Sequence, residues 1–305
     1  MDKNYELFIE QLTNGIHNIT DIPLKNIKFV KGDEDRLNII FAEHEDAYEI
    51  SSVHVDELYT AYQEGAKLNA IVNYIGDDVL HVKSYNIYDK TRELMDYGTA
   101  KRRLLVRLIN YDRNADVLRD VVYKTFGDIA FTVCAIVDEN EHGIASTKIL
   151  KTMVKKWGKN EDDIFNEAIE NTCRISTPRF YTLEKMLLNN NYSGDSFMDS
   201  DDTFQLNDHF AGNLLSTTRK TNGAIAVFLP GVAEKISEML DSDFYMVFTS
   251  IHEVMIHSTG SGVDPKDLKL VLRDTLREVT PSSDYLTEEI YKYNRRTHKF
   301  ECVTD

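Results

Sequence analysis

The sequence predicts an α+β fold, built of helices and short, mainly antiparallel strands in two packed units. Three observations carry this expectation. Apolar residues recur at helical spacing in some segments and alternate in others. The strand-like runs come in pairs separated by turn residues, which marks hairpins rather than parallel crossover units. The chain has 305 residues, 42% of them hydrophobic, enough for about two cored domains at roughly 100–200 residues each.

In chain order, Glu6 to Ile16 carries Leu7, Phe8, Leu12 and Ile16 near helical spacing, so it is expected as an amphipathic helix. Ile27 to Val30 and Leu37 to Phe41 form a hairpin pattern across Gly32-Asp33. Asp56 reads as the N-cap of a helix through Tyr62, closed at Gly65. A further helix presents Leu68, Ile71, Val72 and Ile75. Leu104 to Ile109 and Ile129 to Val137 read as strands, the second ending in the acidic turn 138–143. Ile144 resumes a strand briefly, and Ser146 or Thr147 is expected to cap a helix holding Ile149, Leu150, Met153, Val154 and Trp157. Lys155, Lys156 and then Gly158 follow the order that a helix C-terminus favours. Asn160, with Asp163 three residues on, opens the next helix in the manner of a capping box. Thr177-Pro178 is read as another helix start, with Leu183, Met186 and Leu187 buried.

From Met186 to Thr218 there is no Lys or Arg, while Asp195, Asp199, Asp201, Asp202 and Asp208 accumulate. This composition predicts a long acidic loop or linker over 191–218. The expected organisation is therefore an N-terminal α+β region (1–100), a central strand–helix region (101–190), the acidic segment, and a C-terminal α+β region (219–305). In the last region Ala224 to Leu229 reads as a strand, and Pro230-Gly231 turns into a helix through Leu240. Phe244 to Phe248 and Val254 to Ile256 are consecutive strands, Asp264-Pro265 starts a helix to Glu278, and the tail is a hairpin turned at Asn294 to His298.

Charge narrows the function classes. Thirty-five Lys plus Arg stand against 51 Asp plus Glu, a net charge of −16, which disfavours phosphate backbones and anionic lipid as general partners. The first residues lack a basic start with an apolar stretch behind it, and no apolar run approaches the roughly 20 residues of a membrane span. Cys134, Cys173 and Cys302 lie too far apart for a metal knuckle, so reduced thiols in the cytoplasm are expected. Lys148, Lys151, Lys155 and Lys156 form a basic face, read as solvated, with a second patch at Lys101 to Arg103.

No catalytic set stands out. His252-Glu253-Val254-Met255-Ile256-His257 resembles a zinc-protease string, but its histidines are five apart where the motif needs four. On a helix that spacing leaves them roughly 140° apart, and on a strand it puts them on opposite faces. One packed and one exposed histidine is the expectation. Gly260-Ser261-Gly262 before Asp264 lacks the glycine and lysine positions of a phosphate-binding loop. The aspartates from Asp199 fall out of step with a calcium-binding loop, which places Gly sixth and Glu twelfth where this chain has Phe204 and Phe210. No metal or cofactor is expected.

Several strings occur in a fixed order: Leu108-Ile109-Asn110-Tyr111 with Asn114, Trp157-Gly158, Glu170-Asn171-Thr172, Leu229-Pro230-Gly231-Val232, Ser250-Ile251-His252-Glu253-Val254, and Ile290 to Thr297. Together they resemble the bacterial family described as domain of unknown function 5688, found mostly in Clostridia-like bacteria. The resemblance covers nearly the whole chain and implies no activity. Cys173 stands where the family pattern has Pro. Among the shared strings, Asn110, Tyr111, His252 and Glu253 are polar residues beside apolar strands, the pattern of a pocket mouth or of buried hydrogen bonds. They form the candidate site. The leading expectation is a cytoplasmic, non-enzymatic interaction or regulatory module with a protein partner. The alternatives are a hydrolase-like enzyme using His252 as base, and an acidic nucleic-acid mimic.

Overall fold

A computed structural model describes residues 3–303 apart from 33, 34, 46, 47, 85, 141, 142, 190, 200–202 and 208–210. The fold is α+β with antiparallel sheets throughout. The chain divides into two compact units, Met1–Glu93 and Leu94–Asp305.

The first unit runs α1 (Lys3–Thr20), β1 (Ile27–Val30), β2 (Arg36–Glu43), β3 (Tyr48–His54), α2 (Val55–Gln63), α3 (Leu68–Ser84) and α4 (Ile87–Glu93). The strands make a three-stranded meander, β1-β2-β3. Alternation along β2 turns Leu37, Ile39 and Phe41 inward, where Phe8, Leu12 and Ile16 of α1 and Ile75 and Val79 of α3 meet them. This is an amphipathic solution in which a striped helix and an alternating strand bury their apolar sides together. Gly15 of α1 faces Val72, and Gly76 of α3 faces Ile19; a side chain on either glycine would collide with its partner, so these positions allow the two helices to approach closely. Asp56, expected as the α2 cap, lies one residue inside the helix, and His54 is the cap residue. The Asp56 carboxylate instead accepts from the Asp35 amide and the Tyr5 hydroxyl, both at 2.9 Å.

The second unit runs α5 (Tyr97–Ala100), β4 (Leu104–Asn110), α6 (Ala115–Leu118), β5 (Tyr123–Phe126), β6 (Ile129–Asn140), β7 (Gly143–Lys148), α7 (Lys151–Lys156), α8 (Glu161–Ile175), β8 (Pro178–Tyr181), α9 (Leu183–Leu188), β9 (Asn213–Thr217), α10 (Val232–Leu240), β10 (Phe244–Ser250), β11 (Glu253–Ser258), α11 (Pro265–Glu278), β12 (Tyr291–Asn294) and β13 (Lys299–Cys302). The long strand β6 is the spine of one sheet, paired with β4, β5 and β7. The other sheet has six strands in the order β13-β12-β10-β11-β9-β8. Phe131 of the first sheet and Phe248 of the second both pack on Phe228, at ring-centroid distances of 4.8 and 5.8 Å. Asn160 caps α8 by accepting from the Asp162 amide, and Asp264 caps α11 by accepting from Lys266, with Pro265 at the first helical position.

Several local expectations are corrected. Ser146 and Thr147 lie in β7; the following helix starts later, with Leu150 as its cap residue. Lys148 is therefore on a strand, apart from the helical lysines. Pro178 does not open a helix but starts β8, a terminal strand of its sheet, where a missing N–H is tolerated. The helix begins at Leu183, and Leu183, Met186 and Leu187 are not buried but exposed, the two leucines to 72% and 75%. Ala224 to Leu229 is not a strand; Gly223–Phe228 is a buried 3-10 helix. The 191–218 stretch, expected as a boundary, lies inside the second unit and contains the inner strand β9. Parts of that stretch, including Asp201, Asp202 and Asp208, fall outside the described residues, as do Asp33 and residues 141 and 142 of the expected turns.

Candidate functional site

The polar candidate residues form hydrogen-bonded joints. Asn110 ends β4 and is buried. Its amide nitrogen donates to the Leu286 carbonyl at 2.8 Å, and its side-chain oxygen accepts from the Arg113 amide at 2.9 Å. Beside it, Asp128 in the β5–β6 turn accepts from the hydroxyls of Tyr291 at 2.6 Å and Thr287 at 2.9 Å. Burial, the Asp128 hydrogen bond and its charge all push the Tyr291 phenol upward. Gly127 takes φ +57°, and a side chain there would meet the Tyr291 hydroxyl, so glycine is required at this approach. The joint ties the β6 sheet to the start of β12.

Tyr111 follows Asn110. Its amide donates to the Asp128 carbonyl at 2.7 Å, and the neighbouring Tyr123 raises its phenol above the ordinary value.

His252 lies in the turn between β10 and β11, not on a strand. Its Nδ1 accepts from the Asn222 amide at 2.9 Å, so the ring proton sits on Nε2, 3.3 Å from an Asp284 carboxylate oxygen. Asn110 and His252 thus engage neighbouring residues of one segment, Leu286 and Asp284. Glu253 opens β11 and accepts from the Thr249 hydroxyl at 3.0 Å; it does not orient His252. None of the four residues lines a cavity of about 630 Å³ in the same unit.

That cavity lies on the opposite face of the β10–β11 hairpin. Val254 and Ile256 turn inward to the inter-sheet core, so Met255 and His257 face the other way, beside Val247 and Thr249 of β10. Helix α11 covers this face only partly. Leu268 and Leu272 pack on Val247 and Ile290, and a cavity of about 630 Å³ remains along the helix from Asp264 to Thr275. The floor is apolar, from Val247, Met255, Leu268 and Leu272; Asp264 and Asp267 stand on the wall at the helix start. His257 is 6% exposed and forms part of the wall. A pocket of this volume suits one small organic molecule, held by apolar surface and oriented by a few polar groups. The candidate site read from the sequence leaves out His257 and Met255, although the two-residue period of β11 separates them from Val254 and Ile256.

A smaller cavity of about 400 Å³ lies on the other sheet, floored by Phe126, Phe131, Phe228 and Phe300 with Lys124 on its wall. The Lys124 ammonium sits 4.6 Å from the Phe165 ring and 2.8 Å from Asp162. Among the described residues, no group of three or more His, Cys, Asp or Glu could hold a metal ion, and no helix is long and apolar enough to cross a membrane.

No curated protein and no solved structure matches the chain. One family model does, over residues 5–295, described as a family of unknown function, DUF5688. That span covers most of both units, so the chain belongs to the DUF5688 family.

Proposed function

We propose that the protein is a cytoplasmic, non-enzymatic regulatory or interaction module that binds a small organic ligand in the pocket between α11 and the β10–β11 hairpin. One observation carries the reading: a cavity of about 630 Å³ with an apolar floor between α11 and the hairpin. The geometry around His252 supports this reading over a hydrolase. A general base needs an imidazole lone pair directed at substrate, and the His252 lone pair on Nδ1 is taken by the Asn222 amide. Ligand occupancy would press α11 outward or draw it inward, and a partner protein would sense that change at the exposed side of the helix, where Leu270 lies.

The test is a thermal-shift screen of small apolar compounds on the full chain and on the Met255→Trp variant, in which the indole fills the cavity. Compounds that raise the melting temperature of the native chain but not of the variant support the reading. A screen in which both proteins respond alike contradicts it.

A further inference from the structure

We propose that the ligand of this pocket is an organic cation, an apolar body carrying an ammonium or similar positive group; this inference rests on the pocket being the binding site. Charge decides it. Among the described residues that line the cavity, Asp264 and Asp267 are the only formally charged ones, both are carboxylates, and none is Lys or Arg. Glu253, bonded to the lining residue Thr249, adds a third carboxylate beside it. An anion would leave its charge facing this group at the mouth of a low-dielectric cleft, whereas a cation gains by every one of them.

The start of α11 is an opposing influence. A helix N-terminus carries roughly half a positive charge, and it favours anions. Two full carboxylates at the same helix start outweigh it. Capping engages only Oδ1 of Asp264, with the Lys266 amide at 2.9 Å, and the carboxylate has a second oxygen to offer.

The apolar part follows from the floor. Val247, Met255, Leu268 and Leu272 supply no hydrogen-bonding side-chain group except the weakly accepting Met255 sulfur, so the buried end of the ligand is hydrocarbon. The smaller cavity makes the contrast. Its one charged lining residue is Lys124, which already places an ammonium over an aromatic ring. A cationic ligand therefore selects the α11 pocket.

The experiment uses three probes with one tail: octyltrimethylammonium, octanol and octanoate, titrated calorimetrically into the full chain and into the double variant Asp264→Asn/Asp267→Asn. Asparagine also caps helices, so the α11 start is preserved. The expected result is one site for octyltrimethylammonium, about tenfold or more tighter than for octanol, in line with ion pairing in a partly desolvated cleft, with octanoate weakest. The double variant brings the ammonium probe to the affinity of octanol and leaves octanol unchanged. If octanol binds but octanoate matches or exceeds the ammonium probe, or if the variant keeps the preference, the cation inference is overturned while the pocket reading stands. If none of the three binds the native chain, both fall.

Discussion

Two regions of the second unit use polar residues in opposite ways. At the Asn110–Asp128–Tyr291 joint, each polar atom discussed meets a protein partner, and the carboxylate gathers the Asn110 amide and two hydroxyls from the distant 287–291 segment. At the α11 pocket, the polar residues sit on the wall of open space, and the floor beneath them is hydrocarbon. Both regions place polar residues next to apolar strands. The first is closed and rigid because its groups satisfy each other; the second has room for something that is not part of the chain. Polarity beside a strand is therefore a poor guide to a site unless the face on which it lies is also known.

If the joint is structural, it should fail hard. Asp128→Ala removes the acceptor for Tyr291, Thr287 and Asn110 at once and should cost about 3 kcal/mol or more in urea unfolding, at roughly 1–3 kcal/mol per stranded buried group. Gly127→Ala should cost about 1–3 kcal/mol, because φ +57° is strained for alanine and its methyl meets the Tyr291 hydroxyl; an unchanged midpoint would show that the joint relaxes freely. The pocket should behave differently. Met255→Trp adds bulk toward open space and should change stability by less than about 1.5 kcal/mol, the range of tolerated apolar swaps, while ligand response is lost. A collapse on the scale of Asp128→Ala would mean that this face is packed core.

The smallest expected effect concerns pH. Burial pushes the Tyr181 phenol from 10.0 to about 12, while its hydroxyl donates to the carbonyls of Ser193 and Thr217. A folded-state value above the unfolded one means that the native chain holds the proton longer. The associated stability is complete below pH 10 and is lost as pH rises toward 12. Unfolding midpoints at pH 9 and 11.5 should differ less in Tyr181→Phe than in the native chain. Tyr97, also pushed up to about 12 by burial and by its bond to Glu167, adds a decline in the same window, so the slope should shrink without vanishing.

The fold class was legible because it rests on periodicity and caps, which are local. Asn160 and Asp264 hold their helix starts by contacts two residues away, and no distant neighbour is needed to foresee them. Pro178 and the 223–228 segment were misread because their conformations depend on the sheet around them. A proline marks a helix start or an edge strand equally well, and a six-residue apolar run does not distinguish a strand from a buried 3-10 turn. The candidate residues were seen as chemistry without their partners. The Asn110–Leu286 bond spans 176 residues, and nothing in the local sequence points to it. His257 was within reach, since the alternation of β11 fixes its face; that this face opens on a cavity depends on how far α11 stands off.

The most direct test of the pocket is a methyl NMR titration with octyltrimethylammonium, following the Met255 methyl against those of the other seven methionines. The account predicts a saturable, one-to-one shift largest at Met255 and absent at Met246, which faces the inter-sheet core on the other side of β10. Equal, unsaturating shifts across all eight methyls, or none at Met255, would contradict it.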